Sequence, residues 1–139
     1  MRKLLLTLTL ALPALPAVAQ SARGAAPTTP RTAMKNVLID RFTVPVAAAA
    51  EFVPRLKLAG QQLRTQPGLV RYAVYESAAA ADGQRVFVTV AVWASEQAIQ
   101  QAKAAMQAAH QQAGGTPAEL YARLHITLER GSYSEIEWP

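Results

Sequence analysis

Residues 86–98 read VFVTVAVWASEQA, and this stretch decides the fold. Valine occupies every second position from Val86 to Val92, and the alternate positions hold Phe87, Thr89, Ala91 and Trp93. Because side chains alternate between the two faces of a strand, the pattern predicts a strand that is apolar on both faces. Ser95 then predicts a helix N-cap, with Glu96 in the first turn, where the helix dipole favours an acidic residue.

Upstream of this stretch the chain predicts a strand, a helix and a second strand. Residues 37–44 are rich in branched and aromatic side chains, as in a strand. Between Pro45 and Gln66 one helical face carries Phe52, Val53, Leu56, Ala59 and Leu63. Pro54 is expected to kink this helix or delay its regular start. Residues 69–76 form the next predicted strand, joined to the decisive stretch by a hairpin at Asp82-Gly83.

Downstream, the pattern predicts a helix and a last strand. The helix stripe holds Ile99, Ala102, Ala105, Met106 and Ala109, and Gly114-Gly115 ends it. Residues 117–121 suggest a helical turn, and residues 124–129 alternate as in a strand with one apolar face. The order β-α-β-β-α-β predicts an α+β, ferredoxin-like fold, a four-stranded antiparallel sheet with two helices on one face.

The other face of this sheet is predicted to be too apolar for a lone protomer. We expect it to carry several of Phe42, Tyr72 or Tyr75, Phe87 and Trp93. A homodimer that stacks two such sheets would cover the face and make a dimeric α+β barrel.

The N-terminus predicts export. Arg2 and Lys3 precede an apolar stretch over residues 4–15, and Ala17-Val18-Ala19 provides small residues for cleavage before Gln20. The expected organisation is a signal peptide at 1–19, a flexible linker at 20–34 and one folded domain at 35–139. We therefore expect a periplasmic or secreted protein with no stable membrane span after cleavage, since the apolar stretch is shorter than the roughly 20 residues that a spanning helix needs.

Composition excludes several classes of function. The 139 residues include no Cys, so disulfides, thiolate nucleophiles and Cys-based metal sites are impossible. The formal charge of +5 falls to +3 once Arg2 and Lys3 are removed, and the remaining basic residues form no run. Without a basic stripe or stacking aromatics we expect no nucleic-acid partner. Two His residues fifteen positions apart do not predict a metal site.

Four residues are the candidates for a site. His110 ends the apolar stripe of the second helix, and its alternative is a half-buried helix residue bonded to a neighbour. Asp40 is unusual inside a first strand and predicts an edge position or a polar group facing a pocket. Trp93 is either a core or interface aromatic or a stacking surface for substrate. Tyr72 projects to the face opposite Tyr75, so only one of them can reach a given pocket.

The chain resembles the antibiotic biosynthesis monooxygenase (ABM) domain family of dimeric α+β barrels over roughly residues 36–131. The resemblance is carried by Gln66-Pro67-Gly68-Leu69-Val70, by Tyr72 and Tyr75-Glu76, and by the strand that ends in Trp93 and leads into the Ser95-capped helix. It implies a homodimer with one pocket per protomer between helices and sheet. Some members are cofactor-free oxygenases of aromatic substrates, others degrade haem, and many have no demonstrated activity.

From this resemblance we expect a cofactor-independent monooxygenase acting on a small aromatic phenol or quinol, with no cofactor. His110 or Asp40 would act as the acid–base residue, and Trp93 and Tyr72 would line the pocket. The alternative is a non-catalytic, exported module that binds a small apolar ligand. Haem binding fits less well, because the haem-degrading branch has an Asn and a Trp where this chain has Asp40 and Gln100.

Overall fold

Four strands and three helices follow one another in residues 34–77 and 82–139, which are the part of the chain that the computed structural model describes. The elements are β1 (Asn36–Pro45), α1 (Val46–Arg64), β2 (Leu69–Glu76), β3 (Gln84–Trp93), α2 (Glu96–Ala113), α3 (Pro117–Arg123) and β4 (Thr127–Ser134). The predicted α+β ferredoxin-like fold is confirmed, with α3 as a third helix. The predicted signal peptide and nearly all of the predicted linker lie outside the described residues.

The sheet is antiparallel throughout, in the order β2-β3-β1-β4. In its register, Phe42 of β1 lies between Phe87 of β3 and Leu128 of β4. Two residues earlier, Asp40 lies between Thr89 and Arg130. Cross-strand neighbours share a face, so this register places Asp40, Thr89 and Arg130 together on the same side of the sheet as Phe42.

The helices cover the face that carries the aromatic residues. Phe42 and Phe87 pack against Phe52 of α1, and Trp93 packs with Ile99 of α2. The expectation that Phe42, Phe87 and Trp93 occupy the uncovered face is therefore wrong. The reason is the alternation of side chains along β3: the odd positions from Phe87 to Trp93 turn towards the helices and are buried. The uncovered face carries the valines at 86, 88, 90 and 92 instead, all of them half-buried by their neighbours.

Local signals fixed the helix ends largely as predicted. The Ser95 side chain accepts a hydrogen bond from the Ala98 N–H at 3.1 Å, and Gly114 ends α2 in the left-handed conformation at φ 76°. Helix α1 begins at Val46, eight residues before Pro54, so the expected alternative of a delayed helix start is wrong. No described helix has the length and apolarity that crossing a membrane requires.

The last strand begins three residues later than predicted. A capping box between Thr116 and Glu119 starts α3, which continues to Arg123. Leu124 then ends the helix, and His125 takes a left-handed backbone conformation with φ 55°. Residues 124–129 therefore form a turn followed by the start of a strand. Ile126 is buried in the core although it lies before Thr127, the first residue of β4 that pairs with β1.

Candidate functional site

A pocket of about 370 Å³ lies between α1 and the edge strand β2. Its lining is mainly apolar on the sheet side, with polar side chains from α1 beside it. The lining residues are Val53, Leu56, Lys57, Gly60, Gln61 and Arg64 of α1, Tyr72, Val74, Tyr75 and Glu76 of β2, and Phe87 of β3. A concave, largely apolar site with a few polar groups is the usual form of a small-molecule site.

Tyr72 forms one wall of this pocket because Gly60 lets its ring approach α1. A Cβ atom on Gly60 would lie 2.7 Å from Cε1 of Tyr72, closer than packed carbon atoms come. The Arg64 guanidinium lies 5.7 Å from the centroid of the same ring, within the range of a cation–π contact. The Tyr72 ring can therefore occupy this position only because residue 60 is a glycine.

Tyr72 also connects the pocket to a polar cluster on the helix-facing side of the sheet. Its hydroxyl is hydrogen-bonded to Thr89, a buried side chain on β3. Burial raises the pKa of Tyr72 above its ordinary value of 10.0, and the negative charge of Asp40 raises it further, while Arg64 and the Thr89 hydrogen bond lower it in part. Tyr72 is thus a neutral phenol at neutral pH and can donate a hydrogen bond to a ligand.

Asp40 is held by an arginine that the sequence did not single out. Arg130 donates from Nε to Oδ1 and from Nη2 to Oδ2, both at 2.6 Å. The Asp40 side chain is 14% exposed and that of Arg130 is 54% exposed. The carboxylate is therefore largely buried, and the arginine that binds it is the more exposed partner. These hydrogen bonds are the main reason why the pKa of Arg130 lies above its ordinary value. Both oxygens of Asp40 are thereby engaged, and Asp40 does not line the pocket.

Tyr121 of α3 completes the cluster. Its ring lies edge-on to Phe42 with centroids 5.7 Å apart, and its hydroxyl is close enough to Asp40 to feel its charge. Burial is the largest cause that raises the pKa of Tyr121, followed by Asp40, while Arg130 lowers it. The cluster of Asp40, Arg130, Tyr72, Tyr121 and Thr89 lies between the two apolar parts of the core.

Alkaline pH should therefore destabilise the fold through Tyr121. An unfolded tyrosine ionises near pH 10, whereas the folded one stays protonated to a higher pH, so stability is flat below about pH 9 and falls as pH rises through the two pKa values. Tyr121→Phe should reduce this fall in the unfolding midpoint between pH 8 and 11.5. Tyr133→Phe, a change at a side chain that is 55% exposed, serves as the control. Equal alkaline slopes in wild type and Tyr121→Phe would contradict the interpretation.

The other two candidate residues lie away from the pocket lining. His110 is half-buried near the end of α2, and Trp93 is 2% exposed in the core cluster that α2 covers. The Nε1 atom of Trp93 has no hydrogen-bond partner among the described residues. Of the four predicted site residues, the structure thus brings only Tyr72 into the pocket, with Asp40 beside it. The expectation that only one of Tyr72 and Tyr75 reaches a given pocket is wrong, because both line this one.

The pocket residues that sequence reasoning missed come mostly from α1. Lys57, Gly60 and Arg64 follow one another at intervals of three and four, so they share a helix face, but nothing in the sequence distinguishes that face from a solvated one. Within residues 34–77 and 82–139, no group of three or more His, Asp or Glu side chains is placed to hold a metal ion.

Comparisons with known proteins agree with this architecture. The family model described as antibiotic biosynthesis monooxygenase matches residues 37–114, more than half of the chain. No curated protein matches. Among solved structures, that of SnoaB, a cofactor-independent oxygenase from Streptomyces nogalater, is 24% identical with a TM-score of 0.53 and covers 76% of this chain and 97% of its own.

Two other solved structures are similar at lower identity. Rv0793 from Mycobacterium tuberculosis is 17% identical with a TM-score of 0.54, over 75% of this chain and 97% of its own. A dimeric ferredoxin-like protein from an uncultured marine organism is 7% identical with a TM-score of 0.54, over 76% of this chain and 99% of its own. At such identities these likenesses show the fold alone.

Proposed function

The chain belongs to the antibiotic biosynthesis monooxygenase family, and from this premise we propose that it is an exported, cofactor-independent monooxygenase acting on a small aromatic phenol or quinol. The observation that carries the proposal is the pocket between α1 and β2, in which a neutral Tyr72 hydroxyl meets the apolar surface of Phe87, Val53 and Leu56. The structural similarity to SnoaB, a cofactor-independent oxygenase, supports the reaction class.

The reaction is balanced without a cofactor. A phenol loses its hydroxyl proton, and the resulting anion transfers one electron to O2. The aryloxyl radical and superoxide combine at a ring carbon to give a peroxide anion. This anion takes up one proton, equal to the one lost in the first step, and the hydroperoxide so formed loses water to leave a quinone. One oxygen atom of O2 enters the product and the other leaves as water. The site must therefore stabilise a phenolate and keep bulk water away from the reactive intermediates.

Tyr72 would stabilise the substrate anion. Because burial and Asp40 keep its hydroxyl protonated, it can donate a hydrogen bond to the substrate oxygen as negative charge develops there. Asp40, fixed by Arg130, acts on Tyr72 through its charge and is a positioning residue in this scheme. His110, which the sequence predicts as an acid–base residue, does not line this pocket, so we expect His110→Ala to leave O2 consumption unchanged if the substrate binds beside Tyr72.

Removing the Tyr72 hydroxyl should strongly reduce turnover. We expect Tyr72→Phe to lower kcat for O2 consumption with a quinol substrate by about 100-fold, the usual effect of losing one anion-stabilising donor. Oxygen-electrode measurements over a panel of naphthols and naphthoquinols give the rates. Tyr133→Phe, on the uncovered face of the sheet, removes a hydroxyl of the same kind and should leave kcat unchanged. Equal rates for wild type and Tyr72→Phe would contradict the role of Tyr72.

One observation favours a non-catalytic binding module as the second candidate. Among the described residues, no imidazole lines the pocket, and the one carboxylate in its lining, that of Glu76, accepts hydrogen bonds from Arg85. A pocket without an unengaged base among the described residues is suited to binding alone. Ligand binding that depends on Tyr72 without O2 consumption by any member of the panel would favour this module over the enzyme.

The uncovered sheet face supports the homodimer that the fold predicts. Half-buried valines of β3 form its centre, and Tyr75 and Tyr133 extend it at 50% and 55% exposure. A contiguous apolar strip on the open face of a sheet is typical of a surface that another protein covers. We propose that a second copy covers it by stacking sheet on sheet.

A single measurement tests assembly and export together. Native mass spectrometry of the protein recovered after export should give a dimer of chains that begin at Gln20, because cleavage follows Ala19 and the valine face is then shared by two copies. Val90→Glu places a charge at the centre of that face and should give the monomer mass. A wild-type monomer would contradict the dimer, and a chain that begins at Met1 would contradict the signal peptide.

A further inference from the structure

The pocket carries positive charge that no carboxylate in the described part of the chain neutralises through an ion pair. Lys57 and Arg64 both line it, and neither forms an ion pair with any carboxylate of residues 34–77 or 82–139. They differ from Arg41, Arg85, Arg123 and Arg130, each of which is bound to an acidic side chain. Lys57 and Arg64 are exposed cations that line the same pocket without an acidic partner among the described residues, so both are available to an anionic ligand bound there.

The acidic residue of the pocket does not balance this charge. Glu76 lies at the β2 side, and its Oε1 accepts hydrogen bonds from both Nε and Nη2 of Arg85 on the neighbouring strand. Arg85 therefore offsets the charge of Glu76 locally. The remaining net charge at the pocket comes from α1 and is positive.

Lys57 and Arg64 lie beside the aromatic residues of the pocket, Tyr72 and Phe87. Lys57 and Arg64 are seven residues apart on α1, which separates them by about 10 Å along the helix axis and leaves them on one face with Gly60 between them. Because Gly60 has no side chain, the Tyr72 ring packs directly against the helix at this point, and Phe87 provides a second apolar surface. A planar ring resting on Tyr72 and Phe87 would thus have a cation near each end.

We propose that the pocket takes an aromatic ligand that carries a carboxylate, with Lys57 and Arg64 as the residues that select the anionic group. The inference rests on the proposed function and narrows its substrate class to phenols or quinols with an acidic substituent. The ring contacts supply the apolar part of the binding energy, and the carboxylate supplies the acidic partner that neither cation has among the described residues.

The test uses two air-stable probes that differ only in the carboxylate, 1-hydroxy-2-naphthoate and 1-naphthol. By isothermal titration, the wild-type protein should bind the naphthoate about tenfold more tightly, the effect of two partly exposed charge pairs. This preference should shrink as ionic strength rises, because salt screens exposed charges. The double variant Lys57→Gln/Arg64→Gln should bind both probes equally. Lys103→Gln, an exposed cation of α2 outside the pocket, should keep the preference.

The outcomes separate this inference from the proposed function. Equal affinity for the two probes in the wild type, or no binding of either, would overturn the carboxylate preference. So would a preference that survives in the double variant. O2 consumption with a neutral naphthoquinol is measured on the same proteins, and its presence would leave the monooxygenase proposal standing even if the preference is absent. A preference without any O2 consumption would support the ligand class and count against the enzyme.

Discussion

Phe52→Ala is expected to destabilise the domain by about 3–5 kcal/mol, the usual cost of truncating a buried aromatic side chain. Phe52 of α1 is 1% exposed, and its ring centroid lies 5.2 Å from that of Phe42 and 5.6 Å from that of Phe87. The Tyr121 ring also contacts it, at 6.3 Å between centroids. Truncation leaves a cavity between α1 and the two central strands, which the surrounding rings cannot fill without leaving their own contacts.

Chemical denaturation of the variant and of wild type measures this effect. Domains of this size are stable by about 5–15 kcal/mol, so the variant should be close to its unfolding transition in water. Leu58→Ala is the matched control, because Leu58 is on the same helix but 55% exposed, and a change within about 0.5 kcal/mol is expected there. Similar losses for the two variants would mean that α1 does not pack on the sheet through Phe52.

Gly60→Leu is expected to close the pocket and abolish ligand binding. Even a Cβ at this position would meet Cε1 of Tyr72 at 2.7 Å, and a leucine adds three further carbon atoms in the same direction. The Tyr72 ring must then move into the pocket or α1 must shift away from β2. Overpacking of this kind costs about 1–3 kcal/mol of stability. Affinity for 1-naphthol should fall more than tenfold.

Gly60→Ala and a control variant on the same helix distinguish a closed pocket from a destabilised helix α1. Gly60→Ala adds helix propensity of about 1 kcal/mol yet introduces the same short contact, so it should weaken binding with little loss of stability. Ala50→Leu adds bulk at an exposed position of α1 and should leave binding unchanged. Full affinity in Gly60→Leu would show that the ligand does not occupy the space beside Tyr72.

The order of elements could be predicted from the sequence because its signals are local. Alternation in residues 86–93 and the Ser95 cap each specify structure within a few positions, and the structure confirms both. Which face of β3 packs against the helices could not be predicted from such local signals. Valine on one face and aromatics on the other are both apolar, so burial alone did not say which face the helices cover, and the aromatics turned inwards.

The candidate site could be predicted only in part for a similar reason. Asp40 was recognised as an unusual residue in a strand interior, but its partner Arg130 is 90 positions away in the chain and meets it only through the register of β1 and β4. Lys57 and Arg64 look like solvated helix residues until β2 is placed beside them. Contacts that depend on strand pairing across the sheet are not visible in the spacing of residues along the chain.

The position of the bound ring tests the central claim most directly. A crystal structure of the protein with 1-naphthol is predicted to show the ring against Tyr72 and Phe87 in the pocket between α1 and β2, with its hydroxyl oxygen within hydrogen-bond distance of the Tyr72 hydroxyl. A ring bound elsewhere, for example beside His110 on α2, with the space next to Gly60 empty, would contradict the assignment of this pocket as the functional site.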